Sequence, residues 1–76
     1  MATSRTIIGR IINYHRKQKP MTLEALGNTI GKDRQYMWKV ENGKINISVD
    51  ALDVLIKVLG CSHKDFFNQT KIKQTK

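Results

Sequence analysis

The chain reads as an all-α domain, a compact bundle of about five short helices. Three observations predict this. Apolar residues recur at spacings of three and four instead of alternating. Glycines at 31, 43 and 60 each close such a stretch. A short polar residue suited to capping stands where the second, third and fourth stretches begin: Thr22, Asp33 and Ser48.

The first helix is expected over residues 7–19, where Ile7, Ile8, Ile11, Ile12 and Tyr14 fall on one stripe. Pro20 ends it, because a residue before proline avoids helical backbone angles. Thr22 caps the second helix, with Met21 and Leu26 positioned as a hydrophobic staple. Leu23, Leu26 and Ile30 carry its apolar face, and Gly31 stops it. Asp33 restarts the chain as the cap of a third helix over 34–41, whose Met37 and Val40 point inward. After a loop at 44–47, Ser48 caps the strongest helix, 49–59, which Gly60 closes. A last short helix starts near Ser62 and carries Phe66 and Phe67. Residues 1–67 are thus read as one domain and 68–76 as a basic, flexible C-terminal tail.

Seventy-six residues exclude barrels, doubly wound sheets and two-lobed enzymes. One cysteine, Cys61, can complete neither an internal disulfide nor a zinc set, which points to a reducing cytosol. No apolar run reaches the roughly 18 residues of a membrane span, so a soluble intracellular protein is expected. Fourteen Lys and Arg against six Asp and Glu give a net charge of +8 and favour an anionic partner, nucleic acid first.

The segment from 22 to 43 is the informative one. Two short helices joined by the turn Gly31-Lys32-Asp33 have the layout of a helix-turn-helix. Gly27, small and four residues before Gly31, lets the second of them cross close over the first. With Met37 and Val40 turned inward, Arg34, Gln35, Trp38 and Lys39 face out. Arg can donate twice to guanine O6 and N7, and Gln can pair in the same way with adenine. Both stand at the start of the helix, where a recognition helix meets the bases. Lys39 reaches a base or a phosphate. Trp38 packs on sugar or a thymine methyl, or donates its indole N–H to a phosphate.

These residues carry a resemblance. The run Ile8-Gly9, Ile12, Arg16, Met21-Thr22, Leu26-Gly27, Ile30-Gly31, Val40-Glu41-Asn42-Gly43 resembles the Cro/lambda-repressor-type, or Xre-type, helix-turn-helix family. Ser48, Leu52, Leu59-Gly60 and Asp65-Phe66-Phe67 continue the pattern, so it covers residues 7 to 67. Within the family, Asp33-Arg34, Tyr36 and Asn46-Ile47-Ser48 are most similar to restriction–modification controller proteins.

The resemblance implies a lambda-repressor-like fold and roles for matching positions. Arg34, Gln35 and Lys39 take the base-reading places. Thr22, Lys32, Tyr36, Asn42 and Lys44 take or adjoin phosphate-contacting places, and Arg16 and Glu41 match a partly buried ion pair. It also implies a cytoplasmic, nucleoid-associated regulator encoded by a bacterium or phage. Leu23 departs from the family's phosphate-binding Gln, Gly27 from its commoner Ala, and Pro20 from a glycine-like residue.

A dimer is expected from the fourth helix. Asp50, Asp53 and Lys57 cover only about 60° of its wheel. Leu52, Leu55, Ile56 and Leu59 suffice for the core, leaving Ala51, Val54 and Val58 as a second apolar stripe. With Phe66 and Phe67 they form the candidate two-fold interface.

The plainer readings weigh less. His15, His63 and Cys61 lack neighbours at metal-ligand or catalytic spacing, so packing or surface roles suit them better. No metal, cofactor, membrane or small-molecule substrate is expected, and no enzymatic activity. An antitoxin-like protein-interaction module is the first rival and a non-specific RNA or membrane binder the second. The sequence therefore predicts a transcriptional regulator whose partners are double-stranded DNA and a second copy of itself.

Overall fold

A computed structural model describes residues 4–68, and the expected basic tail lies almost entirely outside them. Five helices follow in order: α1 Ser4–Gln18, α2 Leu23–Asn28, α3 Arg34–Glu41, α4 Val49–Val58 and α5 His63–Asn68. No strand occurs among the described residues.

The helices begin where capping oxygens stand. Thr22 Oγ1 accepts from the Ala25 N–H at 3.0 Å, Asp33 Oδ1 from Tyr36 at 2.8 Å, and Ser48 Oγ from Ala51 at 3.1 Å. Ser62 Oγ accepts from Asp65 at 3.0 Å, giving the short α5 the same start. Each bond satisfies one N–H that a helix start would leave open.

Three helices end alike. Gly31 has φ of +71°, and just beyond it the Lys32 N–H reaches back to the Gly27 carbonyl at 2.9 Å. The same closure runs from Lys44 to the Lys39 carbonyl and from Cys61 to the Ile56 carbonyl. This is the Schellman arrangement, which needs a left-handed residue that glycine adopts at least cost.

Two boundaries differ from the sequence reading by more than one residue. α1 starts three residues early, at Ser4, because the apolar stripe marks where the helix becomes buried and not where its hydrogen bonds begin. α2 stops at Asn28, and its apolar Ile30 belongs to a tightened exit turn in which the Ile30 N–H bonds the Gly27 carbonyl at 3.0 Å.

All five helices contribute to one core. Ile11 and Ile12 come from α1, Leu26 from α2, Met37 and Val40 from α3, Leu52, Leu55 and Ile56 from α4, and Phe66 from α5. Leu59, the C-cap of α4, completes it. Met21, the expected staple residue, packs half-buried against the cluster containing Leu26.

Glycine sets how closely the elements approach. A methyl group on Gly9 would stand 2.8 Å from the Glu41 carbonyl oxygen and nearer still to that of Val40, so α1 meets the end of α3 backbone to backbone. On Gly27 it would stand 2.8 Å from the Asp33 oxygen and 3.0 Å from that of Lys32. The departure from alanine at position 27 is therefore built into the tight α2–α3 crossing.

Candidate nucleic-acid interface

α2 and α3 form the most closely packed helix pair in the fold, and α3 presents a two-sided helix to its surroundings. Met37 and Val40 are buried on its inner side. Arg34, Gln35, Trp38 and Lys39 are exposed on its outer side, with Trp38 at 48%. A side chain that the core does not need, on a helix the core holds rigidly, can be given over to a ligand.

Among the described residues, Arg34, Gln35, Trp38 and Lys39 make no side-chain hydrogen bond or ion pair. The acidic neighbour that could tie up Arg34 is otherwise engaged: the Asp33 carboxylate caps its own helix. Asp33, Arg34, Gln35 and Trp38 together line a shallow recess at the start of α3.

The residues expected to grip phosphate surround this face, each with its own local bonding. Thr22 is exposed; its oxygen accepts a capping bond, which leaves the hydroxyl hydrogen free to donate. Lys32 Nζ lies 5.1 Å from the centroid of the Tyr36 ring, a cation–π contact across the turn. Tyr36 is half-buried beneath it. Asn42 Nδ2 donates to the Trp38 carbonyl at 2.8 Å, so one of its two N–H groups remains. Lys44 is exposed just past the end of α3.

Arg16 and Glu41 meet directly. Arg16 Nε lies 2.6 Å from Glu41 Oε2, and its Nη2 donates to Oε1 at 3.1 Å. Asn13 Nδ2 adds a bond to Oε1 at 2.8 Å, and Arg16 Nη1 donates to the Met21 carbonyl at 2.8 Å. The network ties α1 both to the end of α3 and to the loop entering α2. A polar recess lined by Thr6, Arg10, Asn13, Glu41 and Asn42 lies beside it, with its carboxylate already taken. Asn13 drew no notice in the sequence, although its place three residues before Arg16 puts both on one helix face.

The proposed two-fold surface needs one correction. Phe66 is fully buried within its own chain, stacked on His15 at a centroid distance of 5.5 Å, so it is core and not interface. Its neighbour Phe67 is 41% exposed and meets Phe66 edge-on at 5.0 Å. Val54 is exposed, Ala51 and Val58 are half-buried, and Val49, which the wheel did not single out, is the most exposed large apolar residue among those described. His63 Nε2 lies 2.6 Å from Asp53 Oδ1 and links α5 to α4 at the surface.

His15 has a sealed Nε2 without a partner, and burial pushes its imidazole below the ordinary value of 6.5, partly offset by Asp65. The Cys61 thiol is shifted upward, first by burial and then by Asp65. No three potential metal-ligating side chains converge among the described residues, and no helix there is long and apolar enough to cross a membrane.

Comparison with known proteins agrees with this geometry. The Helix-turn-helix family model matches residues 12–66. The restriction–modification controller protein C.Esp1396I, solved as a tetramer on its natural 35-base-pair operator, is 25% identical with a TM-score of 0.81 over 100% of both chains. The controller protein C.AhdI from Aeromonas hydrophila is 27% identical with a TM-score of 0.74, covering 83% of this chain and 91% of that one. The clp gene regulator ClgR from Corynebacterium glutamicum shares the fold at 23% identity, with a TM-score of 0.84 over 92% of this chain and 90% of its own. No curated protein matches in sequence.

Proposed function

From the premise that this chain belongs to the helix-turn-helix family of non-enzymatic DNA-binding regulators, we propose that it reads a pseudo-palindromic operator as a homodimer, with α3 in the major groove. The observation that carries the reading is the outer face of α3. Four side chains able to contact DNA stand exposed and unbonded there, on a capped helix whose other face is core. Arg34 and Gln35, in the first turn, discriminate bases. Trp38 and Lys39 extend the contact one turn on.

Thr22, Lys32, Tyr36, Asn42 and Lys44 flank that face and hold phosphates, which fixes register without reading sequence. The net charge of +8 supplies the salt-dependent part of the affinity through counterion release. Residues 1–67 form the DNA-binding domain, and the basic residues of 68–76 add non-specific attraction. Ala51, Val54, Val58 and Phe67 make the two-fold contact, which sets two α3 helices into successive major grooves about 34 Å apart. C.Esp1396I, which binds its operator as a tetramer, supports an oligomeric reading. Such a regulator works in the cytoplasm of a bacterium, at the nucleoid.

A randomised-duplex selection with the purified protein at ~0.15 M salt, close to physiological ionic strength, tests this. A two-fold symmetric consensus with half-sites about one helical turn apart is the expected result. Salt-sensitive retention with no enriched sequence would overturn the operator reading and favour a protein partner.

A further inference from the structure

The recess at the start of α3 has an apolar wall that neither folding nor hydrogen-bond readout requires. Trp38 forms that wall. It stays 48% exposed beside Met37 and Val40, which already fill the core at 0% and 1% exposure. A ring of this size is normally buried, in the fold or against a partner.

Its placement says which partner. Trp38 follows Arg34 by four residues and Gln35 by three, so all three share one helix face. Helical side chains tilt toward the helix N-terminus. The indole therefore leans over the turn that carries Arg34 and Gln35, the end of the helix directed at bases. The recess thus joins an unpaired guanidinium and an unpaired carboxamide to an aromatic face.

In the major groove, base edges present hydrogen-bonding atoms and one kind of apolar projection, the methyl on C5 of a pyrimidine. A guanidinium fork beside an aromatic wall fits a guanine edge with a methylated pyrimidine next to it. We infer that Trp38 recognises the 5-methyl group of a pyrimidine adjacent to the base read by Arg34. The inference rests on the proposed placement of α3 in the major groove. Thymine and 5-methylcytosine present the same methyl, and the chemistry of the recess is shared by both.

The test uses the full chain and the duplex recovered from the selection. In one arm each thymine is replaced singly by uracil, which removes the methyl and leaves pairing unchanged. In the other, each cytosine is replaced by 5-methylcytosine. Burial of one methyl corresponds to about fourfold in affinity, from about 0.8 kcal/mol at 1.4 kcal/mol per tenfold. The expected result is one position per half-site, next to the base whose identity Arg34→Ala relaxes, at which the methyl tightens binding by about that factor. Response in the uracil arm identifies thymine as the source, and response in the 5-methylcytosine arm alone identifies the modified base. In Trp38→Ala the methyl dependence vanishes, and in Trp38→Phe part of it remains.

A flat response in both arms, with a clear consensus, overturns the inference and leaves the operator reading intact. Methyl dependence that persists in Trp38→Ala overturns it as well. Absence of any consensus overturns both.

Discussion

Glu41 ends α3 with its carboxylate clasped by Arg16, Nε to Oε2 at 2.6 Å, across 25 residues of chain. Both side chains are largely buried, at 13% and 4% exposure, so each depends on the other for charge compensation. Removing one partner strands a buried charge. Arg16→Ala or Glu41→Ala is expected to cost about 3–5 kcal/mol, whereas replacing both with apolar residues of similar volume costs much less. Urea denaturation of the two single variants and the double variant measures this, and a double-variant loss equal to the sum of the two single losses would show the pair to be incidental.

Gly27→Ala is expected to destabilise, although alanine is the better helix former by about 1 kcal/mol. The new methyl would sit 2.8 and 3.0 Å from two backbone carbonyl oxygens that cannot swing aside. Overpacking of this kind costs about 1–3 kcal/mol. Gly9→Ala, with its still tighter approach to the Val40 carbonyl, should lose more. Thermal melting ranks the two, and a raised melting temperature for Gly27→Ala would contradict the crossing geometry.

The elements were legible in the sequence where a single residue type decides the local backbone. Asp33 and Gly43 bracket α3 as their capping chemistry requires, and Gly31 and Gly60 mark the left-handed turns. Met37 and Val40 were recognisable as core by spacing, and the outward side of α3 followed from them. What spacing could not reveal was which of two adjacent aromatics turns inward. Phe66 and Phe67 are equally apolar, and only the position of α5 against α1 sends Phe66 to His15 and leaves Phe67 outside. Asn13 was missed, and the close approach at Gly9 was not foreseen, for the same reason: their partners lie 28 or more residues away in the chain.

Arg34 and Lys32 should fail in different ways. Arg34→Ala is expected to lose about 1–3 kcal/mol of binding and to relax preference at one base position. Lys32→Ala should weaken all duplexes about equally and reduce the slope of log affinity against log salt by about 0.9, one phosphate's share. Binding titrations at several salt concentrations, on the consensus and on a scrambled duplex, separate the two. A site-selective loss from Lys32→Ala would show that its seat on the Tyr36 ring directs it at a base instead.

Val54→Asp tests the two-fold contact without disturbing the core, because Val54 is exposed in the monomer. A charge there should convert dimer to monomer in sedimentation while helical circular dichroism stays near that of the parent. An unchanged sedimentation coefficient would place the interface elsewhere.

Acid should loosen the α1–α5 contact through His15. Burial, opposed in part by Asp65, holds its folded-state pKa below the ordinary 6.5. The unfolded chain therefore takes up the proton first as pH falls. The stability His15 contributes is complete above about 6.5 and is lost as pH drops toward the lowered folded value. In His15→Leu the stability–pH curve should be flatter over that window, as measured by chemical denaturation at a series of pH values. An unaltered acid limb would assign the loss to another group.

Phe66 and Phe67 lock at 85° to each other, one ring inside the subunit and one outside it. If Phe67 seats a second copy, the ring that helps secure α5 in one chain touches the ring that recruits the next. Subunit stability and assembly then become linked by mass action, and the melting temperature rises with protein concentration. Below the concentration at which pairing saturates, the operator-competent species grows as the square of the chains present. A cell with few copies would leave its operator empty, and a modest rise in expression would fill it steeply.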